Sequence, residues 1–92
     1  MYTVFVETKT GLIHETHACI RNRRPVQLDS AEAARTYAVK MQTLLDEQLS
    51  KFPIDMPAAV YFFAPADADV QIGSTGMRSQ ADEWNRKYLQ KS

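Results

Sequence analysis

The segment LDSAEAARTYAVKMQTLLDEQLSKFP, residues 28–53, constrains the fold more than any other. Ala34, Tyr37, Ala38, Met41, Leu44, Leu45, Leu49 and Phe52 recur at helical spacings, giving one apolar stripe on an otherwise polar helix. Asp29 or Ser30 supplies the N-cap, with Glu32 completing a capping-box-like pattern from Asp29. Pro53 disfavours helical geometry at Phe52, so the helix is expected to stop there. Such a helix runs ~30 Å, about the length of a nine-residue strand at ~3.3 Å per residue. A stripe that long needs an apolar surface of similar length to cover it, and the rest of the chain offers strands.

Tyr2 to Thr8 and Leu12 to Ile20 are rich in β-branched and aromatic residues. Between them, KTG predicts a three-residue hairpin loop with Gly11 in the positive-φ position. Pro25 lacks an N–H for the ladder and is expected to end the second strand. AAVYFFA, residues 58–64, lies between Pro57 and Pro65 and predicts a strand buried on both faces. VQI, residues 70–72, is a candidate fourth strand. A second helix follows, with Ser79 and Asp82 as a cap pair and Ala81, Trp84 and Tyr88 on one face. Asp82 with Arg86, and Glu83 with Lys87, stand four apart in the favourable order. The fold class is therefore α+β, one domain over residues 1–92. An antiparallel sheet of three to four strands packs against two helices in the order β-β-α-β-(β)-α.

Ninety-two residues leave no room for two independent cores. No apolar run approaches the ~18 residues that a membrane span needs, and the N-terminus alternates like a strand instead of resembling a signal peptide. A single cysteine, Cys19, allows no internal disulfide and suits a reducing compartment. The expectation is a cytoplasmic protein with no membrane partner.

The formal net charge of zero conceals segregation. Residues 21–45 carry +3, residues 46–69 carry −4 and residues 78–92 carry +2. A dipolar chain of this kind orients against a charged partner. Non-specific duplex binding usually accompanies a basic domain, and this chain is not basic.

No catalytic constellation stands out. His14 and His17 are three apart in a strand, so they point to opposite faces and do not form the zinc pattern of two histidines on one helical turn. Glu15, His17 and Cys19 share a face, but parallel strand side chains do not converge to the ~3 Å that a nucleophile and its base require. IGSTGM, residues 72–77, lacks the lysine and glycine spacing of a phosphate loop. No metal, cofactor or small-molecule substrate is expected.

The candidate site is CIRNRRPVQL, residues 19–28, with three arginines in four positions. On the second strand Leu12, His14, Thr16, Ala18 and Ile20 are assigned to the core face, shared with Tyr2, Val4 and Val6. The other face then carries Phe5, His17, Arg21 and Arg23, with Tyr61 or Phe63 from the third strand. Arginines and aromatics on an open sheet suit single-stranded RNA recognition. They also suit protein interfaces. The competing expectation is that the second helix covers this face and that the arginines are a solvated loop. Arg21, Asn22, Arg23, Arg24, Phe5, His17, Asp67 and Asp69 are the candidate partner-binding residues, the last two as an acidic loop that meets a basic surface.

The length, composition, absence of a catalytic constellation and dipolar charge resemble the small phage-encoded anti-CRISPR proteins, in particular inhibitors of the type I-F surveillance complex. The resemblance spans the whole chain. Those proteins share no motif, so no residue role carries over. It implies a non-enzymatic inhibitor in the cytoplasm of an infected bacterial cell, docked on a multi-subunit CRISPR ribonucleoprotein and blocking target DNA binding. The acidic stretch would engage lysine-rich subunits, and the arginines would engage guide RNA or acidic protein. The alternative is a small RNA- or DNA-binding regulator that uses the open sheet face and the arginine loop.

Overall fold

A computed structural model describes residues 1–51 and 58–88. The central strand is β1 (Tyr2–Thr10), joined to β2 (Ile13–Ala18) by Gly11 and Leu12. This loop has two residues, not three, with positive φ at Gly11 alone (63°), the pattern of a type II′ turn. The tighter loop lets Thr10 pair Ile13 and sets Phe5 opposite Ala18.

Beyond β2 the chain leaves the sheet as a two-stranded arm, β3 (Ile20–Arg21) and β4 (Arg24–Pro25). It then returns as β5 (Gln27–Leu28), which pairs with β1 at Tyr2 and Thr3 on the edge that β2 has vacated. Helix α1 (Ala31–Lys51) follows, with Ser30 as its N-cap through a 3.1 Å bond from Ala33 N–H. Next, β6 (Ala58–Pro65) lines the whole opposite edge of β1, from Tyr2↔Pro65 to Lys9↔Ala58. A short β7 (Gly73–Gly76) adds outside β2, and α2 (Gln80–Tyr88) completes the fold. All strand pairs are antiparallel, so the expected α+β class holds, with five strands in the main sheet and two in the arm.

The fourth strand is Gly73–Gly76 and not residues 70–72. Val70 instead packs beside Phe62 and Ala81, and Gln71 is bonded on both backbone sides to the Gln80 amide. The expected stop of α1 at Phe52 lies outside the described residues.

Both faces of the sheet are covered over β1 and β6, whereas Ile13, Glu15 and His17 of β2 are exposed on the α1 side. Val4, Val26 and Phe63 pack under Ala34 and Ala38 of α1, whose small side chains let the helix approach closely. Phe5, Phe62 and Ala64 pack under Ala81 of α2, with the Phe5 and Phe62 rings stacked at 5.2 Å. Farther along α2, Asn85 donates to Tyr61 O on the β6 edge, and Tyr88 joins the α1-side cluster 4.9 Å from the Phe63 ring. Arg35 donates to Tyr88 O at 2.7 Å, placing a cation at the α2 C-terminus where the helix dipole favours it.

The face assignment of β2 is corrected by register. Thr16 opposes Glu7 and Ala18 opposes Phe5, so both lie on the α2 side. His17 opposes Val6 on the α1 side. Strand side chains alternate, so a one-residue difference in the loop transfers the whole set to the other face.

Candidate functional site

The arm has its own local logic. Asn22 and Arg23 form a two-residue turn with φ of 55° and 64°, positive at both positions as in a type I′ hairpin. Asparagine tolerates this geometry; arginine does so at a cost of about 1–2 kcal/mol. At the base, Val26 N–H bonds Cys19 O at 2.8 Å, while Cys19 N–H donates to Val4 O and Val4 N–H to Val26 O. Antiparallel pairs alternate, so Ile20↔Pro25 falls at a position that needs no N–H. Pro25 therefore sits inside the arm and does not end β2; the departure at Ala18 does that.

Arg21, Asn22, Arg23 and Arg24 are all exposed. None of the three arginines makes an ion pair among the described residues. A hollow of about 460 Å³ opens beside the turn, lined by Arg21, Asn22, Arg24, Pro25, Val26 and Gln27. Ile20 is exposed as well, so the arm presents aliphatic surface next to its charges.

The other candidates are distributed elsewhere. Phe5 is 7% exposed beneath α2, so the open aromatic face expected from the sequence does not exist. Phe63 is buried on the opposite side. His17 is exposed on the α1 side with Nε2 3.3 Å from Glu15 Oε1. Asp67 and Asp69 are exposed on the turn after β6, a strand on the far edge of β1 from the arm. The structure thus keeps Arg21 to Arg24 on one hairpin, puts Phe5 and His17 on opposite faces of the sheet and leaves the two aspartates beyond β6.

Cys19 makes no hydrogen bond to His17 among the described residues, and burial pushes its thiol up to about 11. A thiol so shifted is almost wholly protonated at neutral pH, the wrong state for a nucleophile. On the α2 side, Glu7 is 4% exposed and accepts from Ser79 Oγ at 2.7 Å, Gln80 N–H at 2.7 Å and Ala81 N–H at 3.3 Å. It thereby caps the α2 N-terminus from a neighbouring strand. His14 Nδ1 stands 3.2 Å from Glu7 Oε2 without hydrogen-bond alignment. Buried Gln80 bonds Thr16 Oγ1 at 3.1 Å and both backbone groups of Gln71. This polar cluster fastens residues 71–81 to the sheet. Sequence reasoning missed Glu7 and Gln80; an acid on the inward-facing side of a strand was the available signal.

The outer edge of β6 is also managed. Gln42 on α1 accepts from Tyr61 N–H at 2.9 Å and donates to Ala59 O at 3.2 Å, so one side-chain amide imitates a neighbouring strand.

Compared with known protein families, curated proteins and solved structures, the chain matches none. Among the described residues no helix is long and apolar enough to cross a membrane. Nor do three or more histidine, cysteine or acidic side chains gather there to hold a metal.

Proposed function

We propose that this chain is a non-enzymatic inhibitor that docks on a multi-subunit, RNA-guided CRISPR surveillance complex and blocks target DNA binding, with the arginine arm as its principal contact. The observation that carries the docking role is the arm itself. Three exposed arginines occupy a hairpin that stands off the core and answers none of their charges among the described residues. Exposed ion pairs are worth ~0–1 kcal/mol in any case, so stability offers little reason for the cluster. Arginine beside aliphatic surface is a composition that binding hot spots favour. The assignment of the partner follows the resemblance of the whole chain to small anti-CRISPR proteins. The acidic turn at Asp67 and Asp69 faces a second, basic part of the complex, using the separation of charge along the chain.

Of the aromatics that the regulator alternative needs, Phe5 and Phe63 are core residues and Tyr61 is half-buried on the α1 side. What remains of it is the arm.

The test is a mobility-shift assay of a guide-loaded type I-F complex with its target duplex. Prior incubation with this protein is expected to abolish the shifted band in proportion to dose. Full duplex binding at saturating protein contradicts the proposal.

A further inference from the structure

Arg21 and Arg24 are the last pair before the turn and stand directly opposite each other. Such a bonded pair has Cα atoms about 5.5 Å apart, and like charges placed there repel. Arg23 adds a third positive charge in left-handed backbone. The ion pairs among the described residues engage Arg78, Arg86 and the two histidines instead. The arm therefore carries electrostatic and conformational costs that nothing else described in the fold offsets. Beside it lies the hollow of about 460 Å³, whose lining residues include Arg21, Arg24, Asn22 and Gln27 and no acid.

We propose that this hollow is a phosphate site that takes a backbone phosphodiester of a single-stranded nucleic acid between Arg21 and Arg24. The inference rests on the arm being the docking element and names what the arm docks onto: a nucleic-acid strand, not an acidic protein surface. The planar guanidinium fork matches phosphate oxygens in a bidentate manner, and this cluster is arginine without lysine. A polyanion with repeated charges compensates all three arginines, whereas one carboxylate compensates one. No aromatic side chain lines the hollow. Recognition is accordingly of backbone, without base stacking, and is tolerant of base sequence.

The test is a titration of isotope-labelled protein, followed by amide shifts at constant ionic strength, with inorganic phosphate, a single-stranded RNA oligonucleotide and a poly-glutamate peptide. RNA is expected to give saturable shifts confined to residues 20–27, phosphate weaker shifts at the same amides, and poly-glutamate little. Log affinity against log salt should slope at roughly −1.4 to −2.1, for two to three phosphates neutralised at about −0.7 each. Arg21→Gln and Arg24→Gln should each weaken RNA binding about tenfold or more, with unchanged amide shifts outside the arm certifying the fold. Arg23→Gly, which suits the turn, should flatten the slope by about 0.7.

Equal or larger arm shifts with poly-glutamate would overturn the phosphate assignment. So would RNA shifts that lie elsewhere or survive both glutamine variants. Co-elution with the surveillance complex separates the two readings. Complex binding through the arm without RNA binding removes the phosphate site alone; RNA binding at the arm without co-elution removes the proposed partner alone.

Discussion

Arg23 sits at φ 64° on the tip of the arm, where glycine would be the better conformer. Arg23→Gly gives the turn its preferred Asn–Gly sequence. Relief of left-handed strain, offset by the larger freedom of glycine in the unfolded chain, makes the change neutral to about 1 kcal/mol stabilising. Thermal melts should show an equal or higher Tm, while affinity for the partner falls. A lower Tm would show that Arg23 stabilises the arm, and the reason given for its presence would then fail. Cys19 supplies a second residue-scale prediction. Its folded pKa is raised from 9.0 to about 11 by burial, so its contribution to stability is complete below pH 9 and is lost as pH rises toward 11. Wild-type Tm should fall over that window, and Cys19→Ala should reduce the slope without abolishing it. Tyr61, itself pushed up by burial and then by Cys19 and Tyr37, also resists ionisation. Iodoacetamide at neutral pH should label Cys19 more slowly than an unfolded control; fast labelling would contradict the raised thiol and point to a reactive Cys19 beside Glu15 and His17. Glu7 acts on one helix end: Glu7→Ala leaves Ser79, Gln80 and Ala81 donors without their acceptor and should cost about 2–4 kcal/mol in chemical denaturation. A loss under about 0.5 kcal/mol, the size of an ordinary surface substitution, would mean water replaces the carboxylate.

At the scale of elements, β6 depends on α1 for more than apolar cover. Gln42→Ala removes both bonds on Tyr61 N–H and Ala59 O and leaves an unpaired strand edge. The expected cost is about 1–3 kcal/mol, together with concentration-dependent self-association in sedimentation velocity. A monomeric variant of unchanged stability would show that the amide clamp is incidental. The elements that were legible in the sequence are those whose signals are local. The existence of α1 with its cap at Ser30, the existence of β6, Ser79 as a cap (Asp82 N–H to Ser79 Oγ, 3.1 Å) and the Asp82–Arg86 pair at 3.0 Å all depend on residues close in the chain. Burial does not: Leu44 of the expected α1 stripe and Val60 of the strand expected to be buried on both faces are exposed. What was illegible depends on partners far away. Ser74 and Thr75 lie between two glycines and have no apolar alternation, so β7 exists only because β2 offers it an edge. Glu83 takes Arg78 in a two-pronged pair at 2.8 and 2.9 Å instead of Lys87, which lies 5.2 Å from the centre of the Trp84 ring. Asn22 and Arg23 form a type I′ turn without the glycine that usually announces one.

For the molecule as a whole, two helices on opposite faces of one sheet cover β1 and β6, while Ile13, Glu15 and His17 of β2 stay exposed on the α1 side. The sequence reading placed Phe5 and His17 on one exposed face with the arginines. The two-residue turn at Gly11 and Leu12 parts them, and α2 buries Phe5. Positive charge was visible as composition, but its display on a separate hairpin depends on β5 rejoining β1 below the arm. On the proposed function, docking is concentrated in the arm, and Arg21 to Arg24 belong to neither core cluster. The most direct test is size-exclusion co-elution of a guide-loaded type I-F complex with wild-type protein and with a variant carrying Arg21→Ala, Arg23→Ala and Arg24→Ala. The account predicts that wild type co-elutes and the folded variant does not. Equal co-elution of both would remove the arm from the interface, and failure of both would leave the proposed partner without support.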